Sequence, residues 1–142
     1  METFGKPADE LVRQLSQGDW PEKMIVGGTE FTVHKLTPKF GWVRLEGVYH
    51  TRYPYPRTDQ SVYVRGTLNS GSKRRATLRL GLDDWAMVYL NGQQVAVLDH
   101  SDEFDSVKIP VILNKGANQL LIKTNNRQNR ERHLWAIHCA VE

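Results

Sequence analysis

The stretch from Leu78 to Asn125 alternates apolar and polar side chains over four successive segments separated by short turn sequences, and this period constrains the chain more than any other feature. Leu78, Leu80 and Leu82, then Ala86, Val88 and Leu90, recur every second residue, the spacing of a strand laid against a core. Asn91-Gly92 lies between two such runs, and both central positions of a type I′ hairpin turn need the positive φ that Asn and Gly tolerate best. Lys115-Gly116 marks a second turn of the same kind.

The remaining punctuation extends this pattern over the chain. Strands are expected at about 31–36, 41–49, 61–68, 74–82, 85–90, 93–98, 106–113, 118–124 and 133–141, short and evenly spaced, which indicates an all-β antiparallel sandwich of the jelly-roll type. One helix is expected, from Pro7 to Ser16. Proline stands near its start, Asp9 and Glu10 occupy the first turn, Leu11, Val12 and Leu15 share a side, and Gly18 stops it. The organisation that follows is an N-terminal helix and lead-in over 1–28 packing on a sandwich over 29–142.

Trp85, Met87 and Tyr89 alternate with Ala86, Val88 and Leu90, so one strand is apolar on both faces. One set needs cover outside the inner core. The N-terminal segment, with Leu11, Val12, Leu15 and Trp20, is the nearest candidate; an exposed aromatic strip for a ligand or partner domain is the alternative.

A chain of 142 residues suffices for one domain that buries most of its apolar surface without staples. The single cysteine, Cys139, excludes an internal disulfide and a cysteine-based zinc cluster. It falls in an alternating apolar segment and reads as a buried thiol, with His138 pointing to the other face of the strand. A formal charge of +3 is too small to indicate a nucleic-acid partner. Lys73-Arg74-Arg75 and the arginines at 127, 130 and 132 read as solvated turn charges. No run reaches the roughly 18 apolar residues of a membrane span, and Met1 to Gly5 lacks the core of a signal peptide, so a soluble chain is expected.

If consecutive strands run antiparallel, their connections alternate between the two ends of the sandwich. The turns at 69–73, 91–92 and 114–117 then share one, chemically plain end. The other end collects 50–60, 83–84, 99–105 and 125–132, which are richer in rings, amides and charges. Loops on a rigid scaffold commonly carry function. Tyr49-His50-Thr51-Arg52-Tyr53-Pro54-Tyr55-Pro56-Arg57 supplies rings for the C–H faces of a sugar and guanidiniums for its hydroxyls, stiffened by proline. The candidate ligand-binding residues are therefore Arg52, Tyr53, Tyr55, Arg57, His100, Asn125, Asn126 and Arg127.

The motifs Tyr49, Arg52 and Tyr53, then Leu78-Arg79-Leu80-Gly81-Leu82-Asp83-Asp84, Val88-Tyr89-Leu90-Asn91-Gly92 and Lys115-Gly116-Ala117-Asn118-Gln119-Leu120-Leu121-Ile122-Lys123-Thr124-Asn125-Asn126 resemble the galactose-binding-like jelly roll. The resemblance is in particular to the N-terminal sugar-binding domain of the glycoside hydrolase family of β-galactosidases and β-mannosidases. It covers a little over half the chain. The family's His-x-Gly-Gly type loop is replaced here by Asp99-His100-Ser101-Asp102. In such enzymes the catalytic acids stand on a separate barrel domain, so the resemblance implies a non-catalytic carbohydrate-binding or accessory module of a multidomain protein. The alternative is a structural domain that docks to a catalytic domain and binds no sugar.

Catalytic geometry is not expected within the chain itself. Asp83 and Asp84 are adjacent in an extended segment and point apart, and Asp99-His100-Ser101 holds triad residue types without triad spacing. No nucleotide loop or dinucleotide fingerprint occurs. Asp83, Asp84, Asp99, Asp102, Glu103 and Asp105 offer oxygen ligands for a structural calcium ion, but their spacing matches no EF-hand loop, and turn capping with arginine pairing is the expected use. No cofactor or metal is therefore expected.

Overall fold

A computed structural model describes residues 9–26, 28–38, 42–45, 61–82, 85–99, 107–125 and 136–142. Helix α1 (Asp9–Leu15) is followed by β1 (Lys23–Val26), β2 (Thr29–Thr32), β3 (Trp42–Arg44), β4 (Ser61–Ser70), β5 (Arg74–Leu82), β6 (Trp85–Leu90), β7 (Gln93–Asp99), β8 (Val107–Leu113), β9 (Gly116–Asn125) and β10 (Ala136–Val141). Two four-stranded antiparallel sheets form the sandwich, in the orders β3-β10-β5-β8 and β4-β9-β6-β7. The all-β sandwich expected from the two-residue period is the observed fold.

The chain crosses from one sheet to the other at almost every connection after β4, so the core forms only when distant segments meet. Leu78, Leu80 and Leu82 of β5 face Ala86, Val88 and Leu90 of β6 and Leu120 and Ile122 of β9. Leu45, Ile109, Val111, Leu113 and Ile137 complete this buried cluster. β8 lies at a sheet edge, where Pro110, opposite Thr77 whose backbone bonds the other way to Glu142, removes a donor from the free edge and Lys108 adds a charge, two devices that discourage edge-to-edge pairing.

At the plain end, three turns meet around one amide. Asn91 and Gly92 have φ of 50° and 80°, as the type I′ hairpin between β6 and β7 requires. The Asn91 Nδ2–H group donates to Asn118 Oδ1 at 2.9 Å, and the Asn114 N–H donates to the same oxygen at 2.8 Å. Asn118 Nδ2 donates in turn to Leu68 O, Asn114 O and Gly116 O at 3.3, 2.9 and 3.2 Å. Asn118 is completely buried, so its side chain replaces water for all three turns. The alternation of ends inferred from strand parity holds here: Ser70 pairs Gly116 and Leu90 pairs Leu120.

The outer face of the β4-β9-β6-β7 sheet is covered. Trp85, Met87, Tyr89 and Leu121 form a second buried cluster with Val12, Leu15 and Val26, joined by Leu11, Trp20, Met24, Phe31 and Tyr63. No aromatic strip is left exposed on β6: Trp85 and Tyr89 are both buried. Arg65 of β4 ties the layer down. Its Nη1 donates to Leu15 O, Gln17 O and Gly18 O at 3.3, 3.3 and 2.7 Å, satisfying carbonyls that the end of α1 leaves without partners. Burial lowers the Arg65 pKa, opposed by the Asp19 carboxylate.

Two expectations change. Lys23–Val26 is a strand, paired with Thr29–Thr32, and Gly28 between them has φ of 81°; the Gly27-Gly28 pair is the sequence signal the strand pattern passed over. β2 spans 29–32 rather than 31–36, because β1 is only four residues long; one further ladder bond, from the Val33 N–H to Glu22 O at 2.7 Å, closes the pairing. Within the strand expected at 41–49, Trp42–Arg44 is a strand paired with Ala136 to His138 of β10, and residues 41 and 46–49 lie outside the described residues.

Candidate functional site

Ser61, Asn125, Trp85 and Asp99 stand in one row across β4, β9, β6 and β7. The strand ends that lead into 46–60, 83–84, 100–106 and 126–135 therefore share one end of the sandwich, opposite Asn118. Of the eight candidate residues, Asn125 is described; Arg52, Tyr53, Tyr55, Arg57, His100, Asn126 and Arg127 lie outside the described residues. Asn125 is completely buried on the outer side of its strand, and its Nδ2 donates to Ser61 Oγ at 2.9 Å. On the inner side, Thr124 Oγ1 donates to Trp85 O at 2.9 Å. Both side chains fix the strand ends that frame the loops.

A groove of about 1200 Å³ starts beside Ser61 and runs along the edge strand β4. No local sequence pattern signals it, because it is walled by segments distant in the chain. One wall carries Phe31 and Tyr63, whose ring centroids lie 6.2 Å apart at 78°, and the other wall reaches Val43, Ile137 and Cys139 between the sheets. Asp19, Glu30, His34 and Arg65 add charged and polar groups. The Arg65 guanidinium also sits 4.6 Å from the centroid of the Trp20 ring, and Trp20 Nε1 donates to Leu15 O at 3.0 Å. The groove thus combines ring faces with carboxylate, imidazole and guanidinium groups.

Lys123 is a further residue that the strand pattern passed over. It is 1% exposed on the covered face of β9, with its ammonium 5.9 Å from the Tyr63 ring centroid. A charge in this position is held by its surroundings or it would not remain buried. Its sequence signal was a lysine in outward register, set between Met87 of β6 and Tyr63 of β4.

Cys139 and His138 point to opposite faces as expected. Cys139 packs on the inner core, and the His138 ring lies 5.3 Å from that of Trp42. Burial pushes the Cys139 thiol up to about 11 from an ordinary 9.0. At pH 8 the thiolate fraction is then smaller by about a hundredfold, and alkylation by iodoacetamide is expected to be slower than that of the unfolded chain by a similar factor. The same shift has a sign for stability. The folded state holds the proton more tightly, so this contribution is complete below pH 9 and is lost as the pH rises through about 11. A Cys139→Ser variant compared with the native chain by pH-dependent denaturation isolates it.

Among the described residues, no group of three His, Cys, Asp or Glu side chains is placed to hold a metal ion. No described helix is long and apolar enough to cross a membrane.

No family model matches the chain, and no curated protein matches it significantly. Among solved structures, it is similar to the β-glucosidase from Kluyveromyces marxianus, in the crystal structures of the glucose complex and of the selenomethionine-labelled enzyme. Each aligns with a TM-score of 0.45 and 14% identity over 58% of this chain. The aligned part amounts to 11% of the β-glucosidase chain.

Proposed function

We propose that this chain is a non-catalytic carbohydrate-binding or accessory module of a larger protein, with the β4 groove and the adjoining loop end as its sugar site. The observation that supports this most directly is the groove itself, where Phe31 and Tyr63 stand beside Asp19, Glu30, His34 and Arg65. Rings bind the apolar faces of a pyranose, and planar carboxylate and guanidinium groups hold its hydroxyls. Arg52, Tyr53, Tyr55 and Arg57 precede β4 directly, and with His100, Asn126 and Arg127 they follow or precede strand ends at the same end of the sandwich. They form the second half of the proposed site. Catalysis has no place in this reading, since the ionisable groups of the groove serve as hydrogen-bonding partners.

A glycan array with the purified chain tests the proposal. Binding of at least one neutral glycan is expected, with Tyr53→Ala, Tyr55→Ala and Arg52→Ala each weakening it by about 1 to 3 kcal/mol without a change in the thermal midpoint. Phe31→Ala is expected to act in the same direction. If no glycan binds, the domain docks to a neighbouring domain and the sugar reading fails. Binding that survives all four substitutions would place the site elsewhere on the molecule.

A further inference from the structure

The second open concavity lies at the other end of the molecule. A shallow groove of about 1050 Å³ is bounded by Lys73, Arg74 and Arg75 on one side and by Gln93, Asn114 and Ile112 on the other. Arg74, Arg75, Gln93 and Asn114 are exposed, and Ile112 is 57% exposed between them. Lys73, Arg74 and Arg75 line the groove, and Lys115 lies in the adjoining turn. Arg79 and Lys108, opposite each other across β5 and β8, stand farther along the sheet and do not line it. Along β5, β8, β10 and the turns at this end, Glu142 is the one carboxylate among the described residues; it borders the groove and is engaged with Arg79.

The acids of the described chain lie mostly elsewhere. Glu10, Asp19, Glu22 and Glu30 all belong to the N-terminal layer over the other sheet. Among the described residues the charge is therefore unevenly spread, with a basic rim at the Asn118 end. Such a field draws in an anionic partner and raises its local concentration. The groove holds guanidiniums, which bind carboxylate or sulfate in a bidentate manner, and primary amides, which pair with hydroxyls. No aromatic ring lines it. Base stacking, the main sequence-independent handle on single-stranded nucleic acid, has no platform there.

We propose that this groove is a second binding site, specific for acidic polysaccharide, with Arg74 and Arg75 holding the carboxylate or sulfate groups and Gln93 and Asn114 the neighbouring hydroxyls. The site stands at the end opposite the loops and does not depend on the reading of the β4 groove.

The test is calorimetric titration of the full chain with polygalacturonate, alongside neutral dextran and a short DNA duplex, at low and at physiological ionic strength. Polygalacturonate is expected to bind, more weakly as salt is raised, and dextran to leave this groove empty. The Arg74→Ala/Arg75→Ala double variant, exposed at both positions and so expected to keep the native thermal midpoint, should lose about tenfold in affinity for polygalacturonate. Arg74→Lys/Arg75→Lys should recover only part of it, because lysine keeps the charge and loses the bidentate geometry. An Arg13→Ala/Lys23→Ala variant, which removes the same charge from the N-terminal layer away from both grooves, should bind as the native chain does. Absence of polygalacturonate binding at low ionic strength overturns the proposal. So does DNA binding as tight as that of polygalacturonate, or an equal loss in the Arg13 and Lys23 variant, since either marks a general cation effect. Neutral glycan binding lost through Phe31→Ala bears only on the β4 groove.

Discussion

Replacing Asn118 by alanine is expected to lower the unfolding free energy by about 4 kcal/mol, measured by urea denaturation. The side chain makes five hydrogen bonds while completely buried, and alanine can make none of them. The groups left behind are the Asn91 amide, the Asn114 N–H and the carbonyls of Leu68, Asn114 and Gly116; those facing the buried Asn118 site lose their partner where water does not reach, at about 1 to 3 kcal/mol each, and those on the exposed turn side are rehydrated. Asn118→Asp separates the two halves of the role: it keeps the acceptor for Asn91 and Asn114, gives up the donors, and places a charge where water is excluded. It is expected to be at least as damaging as alanine at neutral pH and to recover in part as the pH falls and the carboxyl is protonated. Gln93→Ala, at an exposed position of the same end, should change stability by less than about 0.5 kcal/mol. A loss below about 1 kcal/mol for Asn118→Ala would mean that water enters and takes over the five bonds, and that the three turns do not depend on this side chain.

The sandwich was legible wherever one residue type had a single physical use. β5 and β6 fall at 74–82 and 85–90 as read, because leucine and valine at every second position leave no alternative to a half-buried strand, and Asn91-Gly92 fixes the register between β6 and β7. The shared end of the three turns was likewise legible, since antiparallel parity alone determines it. β1 was not, for Lys23–Val26 is too short to show a period, and it is held by a four-residue register with β2 and by the burial of Val26 among residues from α1 and β6. β2 was misplaced for the same reason. A strand in a two-stranded hairpin ends where its partner ends, whatever the propensity of the residues that follow.

The site was less legible than the fold. Parity led to one end of the sandwich, and Asn125 does lie there, but its amide is turned to the covered side and spent on Ser61. The β4 groove is built from α1 through Pro38 on one side and from β3, β4 and β10 on the other, and no local pattern records that these meet. The basic groove shows a different limitation. Lys73, Arg74 and Arg75 look in sequence like solvated turn charges, and only the fold that brings Gln93 and Asn114 alongside turns them into one surface.

Shortening the chain to begin at Lys23 is expected to give a protein that binds a hydrophobic dye and associates, since it uncovers Trp85, Met87, Tyr89 and Leu121 together. A point variant tests the same layer without changing length. Leu15 is 2% exposed in the second cluster, and Leu15→Ala should cost about 3 kcal/mol and lower the thermal midpoint by about 10 °C. Arg65→Met keeps the packing of the stem and removes the guanidinium that bonds three carbonyls and stacks on Trp20, so a smaller loss, about 1 to 2 kcal/mol, is expected. The two sites are in contact through Leu15 O, and their effects should not add: with Leu15→Ala in place, α1 is already loosened and Arg65→Met has less left to remove. Strict additivity would show that Arg65 stabilises the sheet and not the layer. A truncated chain that stays monomeric with a native thermal midpoint would show that the outer face of β6 and β9 tolerates water, and that the buried Lys123 beneath the layer is solvated rather than enclosed.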